Sequence, residues 1–79
     1  MNPEDYQKLI AQRNSASIKA ANTRWDWAMM LNTDTLQMTD EEIEEHRWKC
    51  NDLRATYLRW RKEYFALSEM VKTADKDNL

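Results

Sequence analysis

The sequence predicts an all-α protein, an antiparallel hairpin of two long helices that pairs with a second copy into a four-helix bundle. Three observations favour this fold. Glycine is absent and Pro3 is the single proline among the 79 residues, whereas hairpin turns and phosphate-binding loops depend on glycine. Residues of high helix propensity fill much of the chain. Apolar residues recur at helical spacing in two segments separated by a short polar connection, as in a helical hairpin.

The first helix is expected over about residues 3–31. Asn2 is a suitable N-cap, and Pro3 suits the first helical position. Glu4 and Asp5 follow at the positive end of the helix dipole, where carboxylates stabilise a helix. These four residues together predict where the helix begins.

The apolar residues of the first helix form two stripes that do not share one heptad frame. The shorter stripe begins with Tyr6, Leu9 and Ile10. The longer stripe consists of Ala11, Ile18, Ala21, Trp25 and Ala28. The stripes change over at Asn14–Ser17, where the helix is either kinked or broken. Of these alternatives we favour one long helix with a weak point in this segment.

The connection between the helices is expected over residues 32–38. Asn32 is predicted to end the first helix in the left-handed conformation, because asparagine is the best substitute for glycine at that position. The second helix is then expected over about residues 40–73. A polar tail over residues 74–79 is expected to fray, since it continues no apolar pattern.

The start of the second helix is the clearest boundary in the sequence. Thr39 and Glu42 have the spacing of a capping box, in which each side chain bonds the backbone N–H of the other residue. Met38 and Ile43 stand where a hydrophobic staple would place them. Five carboxylates within residues 40–45 suit the positive end of the helix dipole.

The second helix carries a regular heptad pattern, which is typical of a seam between packed helices. Its members follow alternating steps of three and four residues: Ile43, Cys50, Leu53, Tyr57, Trp60, Tyr64, Leu67 and Val71, with His46 in the same series. Aromatic residues that carry a polar atom suit an interface as well as a core. These residues are therefore expected to form the hairpin seam or a self-association surface.

The small size of the chain favours association. A core of this size supplies only about 3–5 kcal/mol unaided, and the single cysteine, Cys50, excludes a disulfide within the chain. Leu58 and Phe65 lie off the seam of the second helix. Trp27 and Leu31 lie off the longer stripe of the first. A second copy is the simplest cover for these faces, and we expect a homodimer.

One set of residues on the second helix has side chains that could bind a metal or act in catalysis. Glu42, His46 and Cys50 recur every four residues and share a helix face, so a dimer would double a set that could hold a metal. A di-iron helix motif would need Glu three residues before His46, where Ile43 stands. A pair of thiolate and imidazole would lack a third orienting group and the N–H donors of a turn. We therefore expect no metal, no cofactor and no catalytic residue, and predict that the protein is not an enzyme.

The basic residues of the second helix are concentrated in one segment. Six of them lie between Arg47 and Lys62, against Asp52 alone. Arg47, Arg54 and Arg61 recur one heptad apart beside the seam. One interpretation is that they pair with carboxylates of a neighbouring helix, for which the candidates are Glu4, Asp5 and Asp26. The other is an RNA- or DNA-binding stripe. We favour the first, because a pI of about 5.3 is low for a dedicated nucleic-acid binder.

Four tryptophans in so short a chain indicate a binding surface, because interfaces are enriched in Trp, Tyr, Met and Arg. Trp25 and Trp27 cannot share one helix face, and Trp48 lies off the seam. The candidate partner-binding residues are Arg24, Trp25, Trp27, Met30, Arg47, Trp48, Arg54 and Arg61.

The leading hypothesis is a non-enzymatic protein–protein interaction module, a small homodimeric regulator or inhibitor of a partner protein. Stand-alone, glycine-free helical proteins of this size are typical of bacteriophages and plasmids, which favours action on a host factor. One alternative is a nucleic-acid-binding helical dimer that uses the Arg47–Lys62 segment. The other is an assembly component of a virion or of a larger complex.

The expected location is the cytoplasm. The first residues of the sequence have neither the basic region nor the apolar run of a signal peptide. The longest apolar run, residues 27–31, is far shorter than the roughly 20 residues that a membrane span needs. The unpaired Cys50 suits a reducing compartment. We therefore expect no membrane association.

Overall fold

A computed structural model describes residues 1–77 of the chain and the side chains of residues 1–76. Two helices, α1 (Pro3–Leu31) and α2 (Asp40–Asp77), pack against each other, and residues 1–77 contain no strand. The predicted all-α helical hairpin is therefore confirmed. The hairpin measures 59 Å by 14 Å by 13 Å. The pairing of two hairpins into a four-helix bundle stays a prediction.

α1 begins as predicted and continues without interruption. The backbone N–H of Asp5 donates to Asn2 Oδ1 at 2.8 Å, which caps the helix, and Pro3 lies in its first turn. The helix is uninterrupted through Asn14–Ser17, so the favoured single long helix is confirmed and the broken helix is wrong. The weak point in this segment stays a prediction. Ala16 in this segment is only 3% exposed. Packing against α2 thus outweighs the low helix propensity of its neighbours.

α1 ends with Asn32 as its C-cap, but Asn32 is not left-handed. Its φ is −88° and its ψ is 1°, and no residue within 1–77 has a positive φ, so that prediction is wrong. The last carbonyls of α1 are satisfied in another way. The Asn32 N–H donates to the Ala28 carbonyl at 3.1 Å. Thr33 donates twice, from its hydroxyl to the Met29 carbonyl at 3.2 Å and from its N–H to the Met30 carbonyl at 3.2 Å.

The start of α2 has the predicted capping box. The Glu42 N–H donates to Thr39 Oγ1 at 3.2 Å, and the Thr39 N–H donates to Glu42 Oε1 at 3.2 Å. Met38 and Ile43 are both half-buried beside it, as residues of a hydrophobic staple would be. The reciprocal bonds satisfy two backbone donors that the helix itself leaves free.

The end of α2 differs from the prediction of a fraying tail over residues 74–79. α2 continues to Asp77, and only residues 78 and 79 lie outside the described residues. Ala74 is the next step of the heptad after Val71, and the two side chains are 4% and 5% exposed. The apolar pattern therefore persists through a single small residue, and burial against α1 stabilises the last turns.

The predicted seam residues of α2 are all at least half-buried. Val71 is buried and the others, from Ile43 to Leu67, are half-buried. No side chain within residues 1–76 is fully buried, so the core of the hairpin is thin.

α1 carries a regular heptad of its own, which the sequence pattern did not reveal. Its buried and half-buried members follow steps of three and four residues: Tyr6, Leu9, Arg13, Ala16, Ala20, Thr23, Trp27 and Met30. The longer stripe predicted for this helix points outwards instead. Its members Ala11, Ile18, Ala21 and Trp25 are exposed, and only Ala28 is half-buried. That stripe is therefore not the face that packs against α2.

Small residues on α1 accommodate the aromatic rings of α2. Ala16 lines the same groove as Trp60, and the Lys19 ammonium lies 4.5 Å from the centre of the Trp60 ring. Alanines at Ala16 and Ala20 leave room for large side chains across the seam, so that the two helices pack closely. This complementarity explains why the true seam of α1 looks weakly apolar in sequence.

Candidate interaction surfaces

The hairpin has two surfaces with features beyond those of an ordinary solvated helix. The first is the outer face of α1, which points away from α2 and starts at Ala11. Its members are Ala11, Asn14, Ser15, Ile18, Ala21, Asn22, Trp25, Ala28 and Met29. Trp25 is 67% exposed, Ile18 61% and Met29 57%. None of the nine residues is charged.

The outward side of α2 differs from the outer face of α1 because it carries charged residues. Its residues at the heptad position equivalent to Ile18 and Trp25 are Glu41, Trp48, Ala55, Lys62, Glu69 and Lys76. Trp48 is 67% exposed, as much as Trp25, but charged residues follow it along the helix. Solvated helix faces normally carry such charges, so the outer face of α1 is the unusual one. The signal in the sequence was this run of nine uncharged positions at heptad spacing.

The second surface, which we name the arginine face, runs along one side of the groove between α1 and α2. Its arginines each follow a seam residue by one position, which places them on the same side of an antiparallel pair. Its members are Arg24, Leu31, Arg47, Arg54, Leu58, Arg61, Phe65 and Lys72, with Asp40, Glu44 and Asp75 towards its ends.

Aromatic rings hold two of these arginines in place. The Arg24 guanidinium carbon lies 5.6 Å from the centre of the Trp27 ring and 5.7 Å from that of Tyr57. It therefore bridges α1 and α2. The Arg61 guanidinium carbon lies 5.2 Å from the Phe65 ring. Cation–π contact orders a guanidinium group without neutralising its charge.

The predicted pairing of the arginines with carboxylates of α1 does not occur within the hairpin. The three ion pairs among residues 1–76 all lie within α2: Arg47–Glu44 at 3.4 Å, Lys49–Glu45 at 3.3 Å and Lys72–Glu69 at 3.5 Å. The physical reason is position. Glu4 and Asp5 lie beside the far end of α2, and Asp26 follows Lys19 by one heptad on the opposite flank of α1. Arg54 and Arg61 consequently have no carboxylate within ion-pair distance among the described residues.

His46 links the two helices near the connection. Its Nε2 lies 2.8 Å from the Met30 carbonyl oxygen, so Nε2 carries the proton and donates. The Cys50 Sγ lies 3.8 Å from Nδ1. The carbonyl is thus a third group that orients the imidazole, which the sequence did not predict. The N–H groups around Cys50 are bonded to the carbonyls of α2 itself. The hydrogen bond from His46 to the Met30 carbonyl serves as a cap for the end of α1.

The predicted partner-binding residues divide between surface and seam. Trp25 and Trp48 are exposed, on opposite outer sides of the hairpin. Trp27 and Met30 are half-buried, and the Trp27 ring lies 6.1 Å from that of Tyr57. These two residues belong to the seam rather than to a free surface.

Residues 1–76 contain no cluster of three or more His, Cys, Asp or Glu side chains suited to a metal ion. No helix within residues 1–77 combines the length and the apolar character needed to cross a membrane. The chain matches no protein-family model, no curated protein and no solved structure.

Proposed function

We propose that this protein is a non-enzymatic, homodimeric interaction module that regulates a partner protein by presenting helical surface to it. The outer face of α1 is the observation that carries the proposal. None of the nine residues of this face, which extends from Ala11 to Met29, is charged, although 33% of the residues of the chain are charged. It also exposes Trp25 and Ile18, whose burial would stabilise an assembly.

A second copy of the chain is the occupant that fits this face best. A two-fold interface brings the same patch of both subunits together, and an uncharged patch meets itself without repulsion. Ala21 and Ala28 would let two α1 helices approach closely. The face is about 27 Å long at 1.5 Å per residue. Because it points away from α2, the dimer would be a row of four helices, a flatter form of the four-helix bundle.

Light scattering on three proteins tests the self-association. We expect the wild type to have twice the 9.5 kDa mass of the chain at micromolar concentration. Trp25→Lys is expected to be monomeric and still helical by circular dichroism, because Trp25 does not touch the seam. Trp48→Lys is the matched control, since Trp48 is equally exposed at 67%, and it is expected to stay dimeric.

Two results would contradict the proposed dimer. One is a wild type that stays monomeric and cooperatively folded at about 100 μM, a concentration at which a specific dimer is populated. The other is dissociation by Trp48→Lys but not by Trp25→Lys, which would move the interface to α2.

A further inference from the structure

We infer that the arginine face binds an acidic amphipathic helix of another protein, laid along the groove between α1 and α2. The inference rests on the proposed function and deepens it, because it names the chemistry of the partner. It concerns residues that are distinct from those of the outer face of α1.

The charges of the arginine face select an anionic partner. Five basic residues stand against Asp40, Glu44 and Asp75, and Lys72 already pairs with Glu69. Two of the three carboxylates are engaged within the hairpin. Glu44 pairs with Arg47, and Asp75 accepts a hydrogen bond from Tyr6. The face is therefore positive on a chain whose formal net charge is −2, and complementary charge steers and orients a partner.

The apolar residues of the face favour a protein helix over phosphate groups alone. Leu31 is 58% exposed, Phe65 53% and Leu58 38%. Beside Phe65 the surface deepens into an open groove of about 400 Å³. Two basic residues, Arg13 and Lys72, and two carboxylates, Glu69 and Asp75, also line it. An amphipathic helix with an apolar row flanked by carboxylates would fill the groove and reach the arginines at once.

A second copy of this chain is a poor occupant of the arginine face. Arg24 lies beside Tyr57 in the middle of the hairpin, and Arg54 and Arg61 lie within one or two turns of Tyr57 along α2. A two-fold contact through this face would place these guanidinium groups against their own copies. Like charges held in contact disfavour an interface.

Single-stranded nucleic acid is also a poor fit. Such strands bind by stacking bases on open aromatic rings. Here Arg24 already lies over the rings of Trp27 and Tyr57, and Arg61 lies over Phe65. Trp27 and Tyr57 are half-buried in the seam, and Phe65, the ring that belongs to the face, already contacts Arg61.

A titration with synthetic peptides tests the inference. The probe is a helical peptide of about 20 residues, which spans about 30 Å, with Leu along one face and Glu on both flanks of the Leu row. The control peptide has Gln in place of every Glu. We expect the Glu peptide to bind the wild-type protein with a micromolar Kd that weakens as salt rises. The Gln peptide is expected to bind at least about tenfold more weakly.

Two double variants show whether binding uses this face. Arg54→Glu with Arg61→Glu reverses two charges on the arginine face, and affinity for the Glu peptide should fall at least about tenfold. Arg59→Glu with Lys62→Glu reverses two charges on the same helix outside the face. This control has the same net charge as the Arg54→Glu, Arg61→Glu variant. Its affinity for the Glu peptide should be within about twofold of that of the wild type.

Three outcomes would overturn the inference. The first is no binding of the Glu peptide at about 100 μM. The second is an equal loss of affinity in both double variants. The third is tighter binding of a double-stranded RNA of about 20 base pairs, abolished by Arg54→Glu with Arg61→Glu, which would make the face a nucleic-acid surface.

Light scattering on the same samples separates this inference from the proposed dimer. The Arg54→Glu, Arg61→Glu variant leaves the outer face of α1 intact and should keep the mass of the wild type. A monomeric wild type that still binds the Glu peptide would contradict the proposed dimer and still support the proposed binding site on the arginine face.

Discussion

The Tyr6 hydroxyl donates a hydrogen bond to the carboxylate of Asp75 and so joins the first turn of α1 to the last turns of α2. The two residues are 69 positions apart in sequence, and the bond closes the open end of the hairpin. It also raises the pKa of the Tyr6 phenol above its usual value, chiefly because only the protonated phenol can donate to Asp75. Partial desolvation and the negative charge of Asp75 act in the same direction.

This contact predicts a loss of stability at high pH. A pKa that is raised in the folded state contributes stability fully below the unfolded value of about 10, and loses it as the pH rises through the folded value. Tyr6→Phe should therefore melt below the wild type near pH 7, and the difference should shrink or reverse by about pH 11. Melting curves of both proteins across this range provide the test. A constant difference in melting temperature would show that the hydroxyl does not act through Asp75.

The bond from His46 to the Met30 carbonyl predicts a second stability effect. His46→Ala removes one of two donors to the Met30 carbonyl, which keeps the Thr33 N–H, and should lower the free energy of unfolding by about 0.5–1.5 kcal/mol. His46→Gln keeps an N–H donor and should recover part of the loss. Urea denaturation of the three proteins measures both effects. If the Ala and Gln variants were equally unstable, the imidazole would act by packing alone.

Trp60 and Trp48 should differ sharply in their effect on folding. Trp60 is half-buried in the seam beneath Lys19, and Trp60→Ala should cost about 3 kcal/mol, near the lower end for a core tryptophan. Trp48 is 67% exposed, and Trp48→Ala should change stability by no more than about 0.5 kcal/mol. Chemical denaturation resolves the two values. Equal losses would mean that the heptad frame of α2 is wrong.

The seam of α1 can be tested by overpacking it. Ala16 is 3% exposed, so Ala16→Leu should destabilise the hairpin by about 1–3 kcal/mol. Ala55→Leu makes the same change at an exposed site on α2 and should be nearly neutral, since Ala and Leu are both strong helix formers. Thermal melts of the two variants provide the comparison. A tolerated Leu at Ala16 would return the packing face to the stripe that contains Ile18.

The sequence by itself determined the elements of this fold and most of their boundaries. Local chemistry suffices for these features. The Asn2 cap of α1 and the Thr39–Glu42 capping box of α2 both form because the residues that bond are three positions apart. The seam of α2 was visible because most of its positions, through four heptads from Ile43 to Val71, hold large aliphatic or aromatic side chains.

Only the tertiary structure decided which side of α1 packs. The true seam holds the small residues Ala16, Ala20 and Thr23, and Trp60 of the other helix lines the same groove as Ala16. The larger residues Ile18 and Trp25 point away from α2, although their size and spacing in the sequence predicted a packed stripe. Packing depends on the sum of side-chain volumes across the seam, which one helix alone does not reveal. The same arrangement left the outer face of α1 uncovered and gathered the arginines on one side of the groove.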